Sequence, residues 1–220
     1  MPKQDKHQTP RERLWELPEQ RRAQLLGPAE QEFATKGFAD ASLNRILSQA
    51  GMSKGQAYYY IADKADLYGA VLESAYQRLV CKLSFNFGHP ENAEQYWQQV
   101  AELFGRVGLV LFQDQILAAL AIRVYDSDIT RTIAQQLPFR TAFDALIEQG
   151  QQLGAVRSDL PNDLLRDMLF AMALEVDRWF GANWAELRSD IYLDLNTRII
   201  GLFRSVAQPP SSSSMDLSDI

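Results

Sequence analysis

Cysteine, histidine, phosphate loops and long apolar runs are all scarce in this sequence, and each scarcity removes a class of function. A single cysteine, Cys81, among 220 residues excludes an internal disulfide framework and fits a reducing compartment. Its simplest role is that of a small buried residue. The two histidines, His7 and His89, are isolated, so with one cysteine they build no standard zinc site without several converging carboxylates. There is no glycine-rich phosphate loop, no H-E-x-x-H and no G-x-S-x-G turn. The chain therefore reads as no enzyme, with no cofactor and no metal. The longest useful apolar run, "ILAALAI" at 116–122, falls far short of the roughly 18 residues that cross a bilayer, so no membrane partner is expected. The opening "MPKQDKHQTPRER" lacks the apolar stretch of a signal peptide, and the expected location is cytoplasmic.

What is present is an ordinary globular composition, 46% apolar and 23% charged. Apolar residues recur at spacings of three and four nearly everywhere, without sustained alternation, which predicts an all-α fold. One stripe is Leu67, Val71, Ala75, Leu79 and Leu83; another runs from Leu165 to Phe180; a third from Ile191 to Phe203. Breaks at Gly37, Gly51, "GHPEN" (88–92), Pro138, Gly154, Pro161 and "GAN" (181–183) leave room for about eight or nine helices. Pro28 interrupts the first long pattern, and a proline there removes a hydrogen bond at a cost of about 3 kcal/mol, so a kink or a restart is expected at that point. Residues 1–17 read as a flexible arm, although Leu14, Trp15 and Leu17 could dock. The tail 208–220, "QPPSSSSMDLSDI", carries no core pattern and reads as disordered.

Charge divides the chain unevenly. The net charge is −6, yet residues 1–66 hold 10 Lys+Arg against 9 Asp+Glu, leaving the deficit to residues 67–220. Only the first part is electrostatically tolerable beside phosphates.

That first part contains two short helix patterns joined by a tight turn. Ser42 is a natural N-cap for "LNRILSQA", with Leu43, Ile46, Leu47 and Ala50 inward, and Gly51 suits the left-handed position that ends it. Ser53 can cap a second helix starting at Lys54 or Gly55. This is the pattern of a helix-turn-helix, whose second helix enters the major groove of DNA. The run Tyr58, Tyr59 and Tyr60 then acquires a purpose. Successive helical residues point about 100° apart, so at most one or two of these rings can pack inward. An outward tyrosine offers a ring to sugars and thymine methyls and a hydroxyl to a phosphate. Ser42 and Ser53 mark helix N-termini that favour anions; Lys54 and Gln56 suit guanine and adenine edges; Gly55 allows close approach; Lys64 starts the next helix near the same phosphates. A helix pair with a glycine turn also occurs in all-α proteins that never touch DNA, and exposed tyrosines can equally meet a protein partner.

The run "LLGPAEQEFATKGFADASLNRILSQAGMSKGQAYYYIADKADL" at 25–67 resembles the N-terminal DNA-binding region of the TetR (tetracycline-repressor-like) family. Matching positions include Ala29, Phe33, "KGF" at 36–38, Ser42, Ile46, "AG" at 50–51, "SKG" at 53–55, Tyr58, Lys64 and Leu67. Departures are Pro28 in place of a helix former, Gln56 and Ala57 where Thr and Leu are common, and Ile61 in place of Phe. The resemblance implies a DNA-binding domain over 18–66 and a ligand-binding, dimerising helical domain over 67–207. It further implies a homodimer on a palindromic double-stranded operator, released by a small-molecule effector. An activator or corepressor-dependent regulator of the same fold, or a helical interaction module without DNA, are the alternatives.

Segments 161–182 and 187–206 carry apolar stripes wide enough for both a core and a partner, through Leu165, Met172, Val176, Ile191, Leu195, Ile199 and Leu202. Candidates for the effector pocket are Tyr76, Trp97, Phe104, Phe112, Phe139, Phe143, Met172 and Trp179. Arg123 is a candidate anchor for an anion, and Glu175 or Asp177 for a cation. Core packing or an internal ion pair is the competing role for each.

Overall fold

A computed structural model describes residues 8–84, 87–124, 126–134, 138–183 and 189–210. His7, the last ten residues of the tail and the side chains of Phe139, Asp177 and Ile191 lie outside the described residues. Among the described residues there are eleven helices and no strand. In chain order they are α1 (Pro10–Glu16), α2 (Glu19–Asp40), α3 (Leu43–Gln49), α4 (Lys54–Ala57), α5 (Lys64–Leu83), α6 (Ala93–Gln113), α7 (Gln115–Arg123), α8 (Asp128–Ala134), α9 (Pro138–Gln152), α10 (Asn162–Asn183) and α11 (Ser189–Ala207). The count exceeds eight or nine because α1, α4 and α8 are too short to show a period. No single helix among the described residues is long and apolar enough to cross a membrane. Packing divides the chain into two compact units, one of Met1–Lys82 with Leu111–Leu137 and one of Leu83–Val110 with Pro138–Ile220. This division by packing is not a cut at residue 66.

In the first unit, α2 is the spine. Its backbone stays helical through Pro28, so the helix does not restart there, and it breaks at Gly37 (φ 71°). Leu25, Leu26 and Ala29 are buried on either side of the proline, which keeps the helix seated across the missing hydrogen bond. Gly37 adopts the left-handed region that costs other residues about 1–2 kcal/mol. The carbonyls exposed by that break find cations from elsewhere in the chain. Arg123 of α7 donates to Ala34 O and Thr35 O, at 3.5 and 3.3 Å. Lys64 Nζ donates to Ala39 O and Ala41 O, at 3.1 and 3.2 Å. α7 packs along α2, and Phe33, Phe38 and Tyr68 form an edge-to-face cluster beneath them.

The arm expected over 1–17 is, from Thr9 onward, a docked helix. Thr9 Oγ1 accepts from Glu12 N while Glu12 accepts from Thr9 N, a reciprocal box that closes the first turn of α1. Leu14 is fully buried and Trp15 Nε1 donates to Glu73 at 3.1 Å. On the other side of α5, Asp114 caps α7 by accepting from Leu117 N, and it pairs with Arg78 (3.1 Å) and Lys82 (2.8 Å). Arg78 also reaches Glu30 of α2 at 2.7 Å.

The second unit closes on an apolar core. Tyr96, Trp97, Val100, Ile147, Leu165 and Phe203 are buried in one cluster drawn from α6, α9, α10 and α11. The polar atoms of its two largest rings are satisfied: Tyr96 Oη donates to Leu146 O at 3.0 Å and Trp97 Nε1 to Ala155 O at 3.3 Å. Burial pushes the Tyr96 hydroxyl well above its ordinary pKa, so it remains a donor. Leu165, expected at a subunit interface, is 0% exposed and belongs to this core. Met172, Val176 and Ile199 pack against the same cluster, half-buried. Leu195 is also half-buried, and Leu202 is 60% exposed. Exposed apolar positions of α10 are Leu164, Met168 and Trp179, of which Met168 and Trp179 belong to the stripe that spacing selects and Leu164 flanks it.

Candidate nucleic-acid interface

Local capping shapes the segment from α3 to α5. Ser42 Oγ accepts from Arg45 N, and Gly51 (φ 64°) ends α3 with nothing within 4 Å of where a Cβ would stand. Ser53 and Gln56 form a second reciprocal box, Ser53 Oγ accepting from Gln56 N and Gln56 Oε1 from Ser53 N. It holds a helix of a single turn. Ala57 and Ile61 point inward and are 0% exposed, so these two departures from the family pattern still serve as core.

With the inner side fixed, the remaining residues face solvent. Ser53, Lys54, Gly55 and Gln56 are exposed, as are Tyr58 and Tyr59, at 48% and 56%. The three tyrosines lie in the turn after α4 and fan apart. Tyr60 is half-buried and meets Tyr59 edge-on at 5.0 Å. One surface thus collects a lysine, a glycine, an amide and two phenols. That combination suits phosphate, sugar and base-edge contacts.

Three expected contributors have prior engagements. Ser42 N donates to Glu32 Oε1 at 3.0 Å, so a buried carboxylate, itself paired with Arg45 at 3.3 Å, occupies the end of α3 that was expected to attract an anion. Lys64 Nζ donates to the two α2 carbonyls and lies 4.7 Å over the Phe38 ring. Gln56 keeps its NH2 for a base but has its oxygen in the capping box. Sequence reasoning missed Arg45, whose side chain is 55% exposed, and Arg13, which lies over Tyr59. Nothing in the local spacing marks either, because Arg13 and Tyr59 are 46 residues apart.

The effector candidates separate in the same way. Trp97, Phe104 and Phe143 line a cavity of about 40 Å³ together with Tyr96, Val100 and Phe203, and Met172 packs against that core. Tyr76, Phe112 and Arg123 belong to the first unit, so they do not join this lining. Arg123 pairs with Asp126 at 3.1 Å besides its work on α2. Trp179 is 46% exposed and Glu175 is paired with Arg178 at 2.6 Å on the surface. Cys81 is exposed near the end of α5, where a buried position was expected. No group of three or more metal-ligating side chains occurs among the described residues.

A model of bacterial regulatory proteins of the tetR family matches residues 25–71, which spans the helix-turn-helix and its flanks. The transcriptional repressor DhaR of Mycobacterium sp. (strain GP1) is 24% identical over 155 residues, covering 68% of this chain and 77% of that one. The transcriptional activator FasR of Mycolicibacterium smegmatis is 37% identical over 62 residues, 28% of either chain. The crystal structure of the regulator FadR from Bacillus subtilis, in complex with stearoyl-CoA, shares the fold with a TM-score of 0.64 at 18% identity, covering 84% of this chain and 98% of that one. Residues 25–71 thus carry a segment of the tetR-family type, and over most of its length the chain is similar to helix-turn-helix regulators of transcription.

Proposed function

We propose that this chain is a repressor that binds a palindromic operator as a homodimer and leaves it when a small-molecule effector binds. The observation that carries the reading is the exposed face Lys54–Tyr59, stiffened from below by the Ser53–Gln56 box and by buried Ala57 and Ile61. Repression is favoured over activation because the likeness to DhaR extends over 68% of the chain, whereas that to FasR stops at 28%. Leu164, Met168, Trp179 and Leu202 form the outward apolar positions through which α10 and α11 would meet their copies. Two recognition surfaces about one DNA turn or a multiple apart would then read a symmetric site.

The effector site is the apolar cavity of the second unit. Its volume, about 40 Å³, has room for little more than water. Ligand pockets usually run to about 300–1,000 Å³, so an effector must part α6, α9, α10 and α11 to enter. A ligand that binds only the opened form shifts the population toward it, and this is the required property of an inducer. The lining residues carry no charge and both polar ring atoms are already used, which suits an apolar ligand or the apolar part of a larger one, such as the acyl chain of the thioester bound by FadR.

The test is fluorescence anisotropy with labelled duplex from upstream of the protein's own gene. Affinity should fall steeply between about 50 and 200 mM salt, as counterion release demands. Lys54→Ala should weaken binding about tenfold and flatten the salt slope by about one. Equal binding by wild type and Lys54→Ala, or no dependence on salt, would remove this surface as the DNA contact.

A further inference from the structure

We infer that Arg13 is a positioning residue of the recognition surface, acting through Tyr59; the inference rests on the DNA-binding reading above and deepens it. Tyr59 follows a helix of one turn and is 56% exposed, so little in its own neighbourhood fixes it. Its backbone N–H reaches Gln56 O only at 3.3 Å. The firmer restraint arrives from α1. Arg13 Nε donates to Tyr59 O at 2.7 Å, and the guanidinium carbon lies 4.4 Å from the centre of the Tyr59 ring. One side chain therefore grips both the carbonyl and the ring of the same residue, a planar two-point contact that an ammonium cannot reproduce.

The grip is useful only if α1 itself is fixed, and it is. Arg13 NH1 donates back to Gln8 O at 2.8 Å. Leu14 is fully buried, Trp15 is hydrogen-bonded to Glu73, and Arg22 stacks on the Trp15 ring at 4.9 Å. Arg11 pairs with Asp66 at 3.4 Å, next to the start of α5. With Nε and NH1 committed to carbonyls, Arg13 is arranged to hold a neighbour. An exposed tyrosine normally loses rotamer freedom when it meets DNA. One already held in place loses less, an advantage of about two- to tenfold in affinity.

The experiment is the same anisotropy titration, run with Arg13→Ala, Arg13→Lys, Tyr59→Ala and the Arg13→Ala, Tyr59→Ala pair, alongside thermal melting without DNA. Arg13→Ala should raise Kd about two- to tenfold, and Arg13→Lys should match that loss although it keeps the charge. The pair should be no weaker than Tyr59→Ala alone, and the salt slope should not change in any of them. Where Arg13→Ala lowers the melting temperature, Arg13→Lys decides the matter, since its aliphatic stem preserves packing. Wild-type affinity in Arg13→Lys, losses that add in the pair, or a slope reduced by about one would overturn the inference. If Lys54→Ala weakens binding while no Arg13 variant does, this inference fails and the DNA-binding reading survives. If wild type binds no DNA, both fall.

Discussion

Both units of this chain have buried apolar cores and ion pairs between helices, and they differ in how helix ends and core are finished. In the first, directed polar contacts sit at nearly every helix end: reciprocal boxes at Thr9 and Ser53, Arg123 and Lys64 on α2, and the Asp114 node between Arg78 and Lys82. In the second, a cluster of aromatic and branched side chains closes on a small void, with its polar atoms turned to backbone carbonyls. Directed contacts fix angles and so suit a surface that must match a rigid partner. Shape-filling contacts fix volume, so the proposed effector could enter the second core only by parting its helices.

The largest expected effect tests the second unit. Leu165→Ala should cost about 2–5 kcal/mol in chemical denaturation, by removing a fully buried side chain from the core of the second unit. If Leu165 served mainly a subunit interface, the loss would depend on protein concentration; a core role makes it independent.

Next comes the polar counterpart. Asp114→Asn keeps an acceptor for Leu117 N but removes the charge facing Arg78 and Lys82, at about 1–2 kcal/mol. Burial alone would raise the Asp114 carboxyl; the hydrogen bonds from Lys82 and Leu117 N and the charge of Arg78 outweigh it and hold it below the ordinary aspartate value. A group depressed in the folded state stabilises above its unfolded pKa of about 3.9 and loses that contribution as pH falls through the folded value. The gap between wild type and Asp114→Asn should therefore stay level from about pH 5 to 8 and close below about pH 4. A gap that persists in acid would mean the carboxylate charge is not what holds the node.

The smallest effect is a contrast within one helix. Gly37→Ala meets a φ of 71° and places a methyl 3.0 Å from Asp126 Oδ2, and should destabilise by about 1–2 kcal/mol. Gly27→Ala meets helical backbone and nothing within 4 Å, and should stabilise by about 0.5–1 kcal/mol. Melting temperatures that move in the same direction would contradict the placement of the break.

What the sequence discloses follows from range. Caps act between residues i and i+3, so Ser42, Gly51 and Ser53 are readable directly from spacing, as is the break at Gly37. The α2 carbonyls held by Lys64 and Arg123, and the Tyr59 carbonyl held by Arg13, lie between 23 and 89 residues away and leave no local trace. Both cations have structural partners that spacing does not reveal: Arg123 holds carbonyls ahead of the Gly37 break and Lys64 holds those at the end of α2. In α10 the three- and four-residue spacing identifies an apolar stripe but not which edge of it turns outward. That choice is made by the packing of Leu165 and Leu169 against partners from other helices.

The first unit is assembled from two stretches of chain, with α7 in the second stretch lying against α2. Grafting the reading head of this regulator onto a relative's body is therefore not a matter of one splice. A chimera cut after α5 would leave Ala34 and Thr35 without Arg123 and strip the long flank of α2 that α7 covers. Recombination that respects this protein must move both pieces as a set.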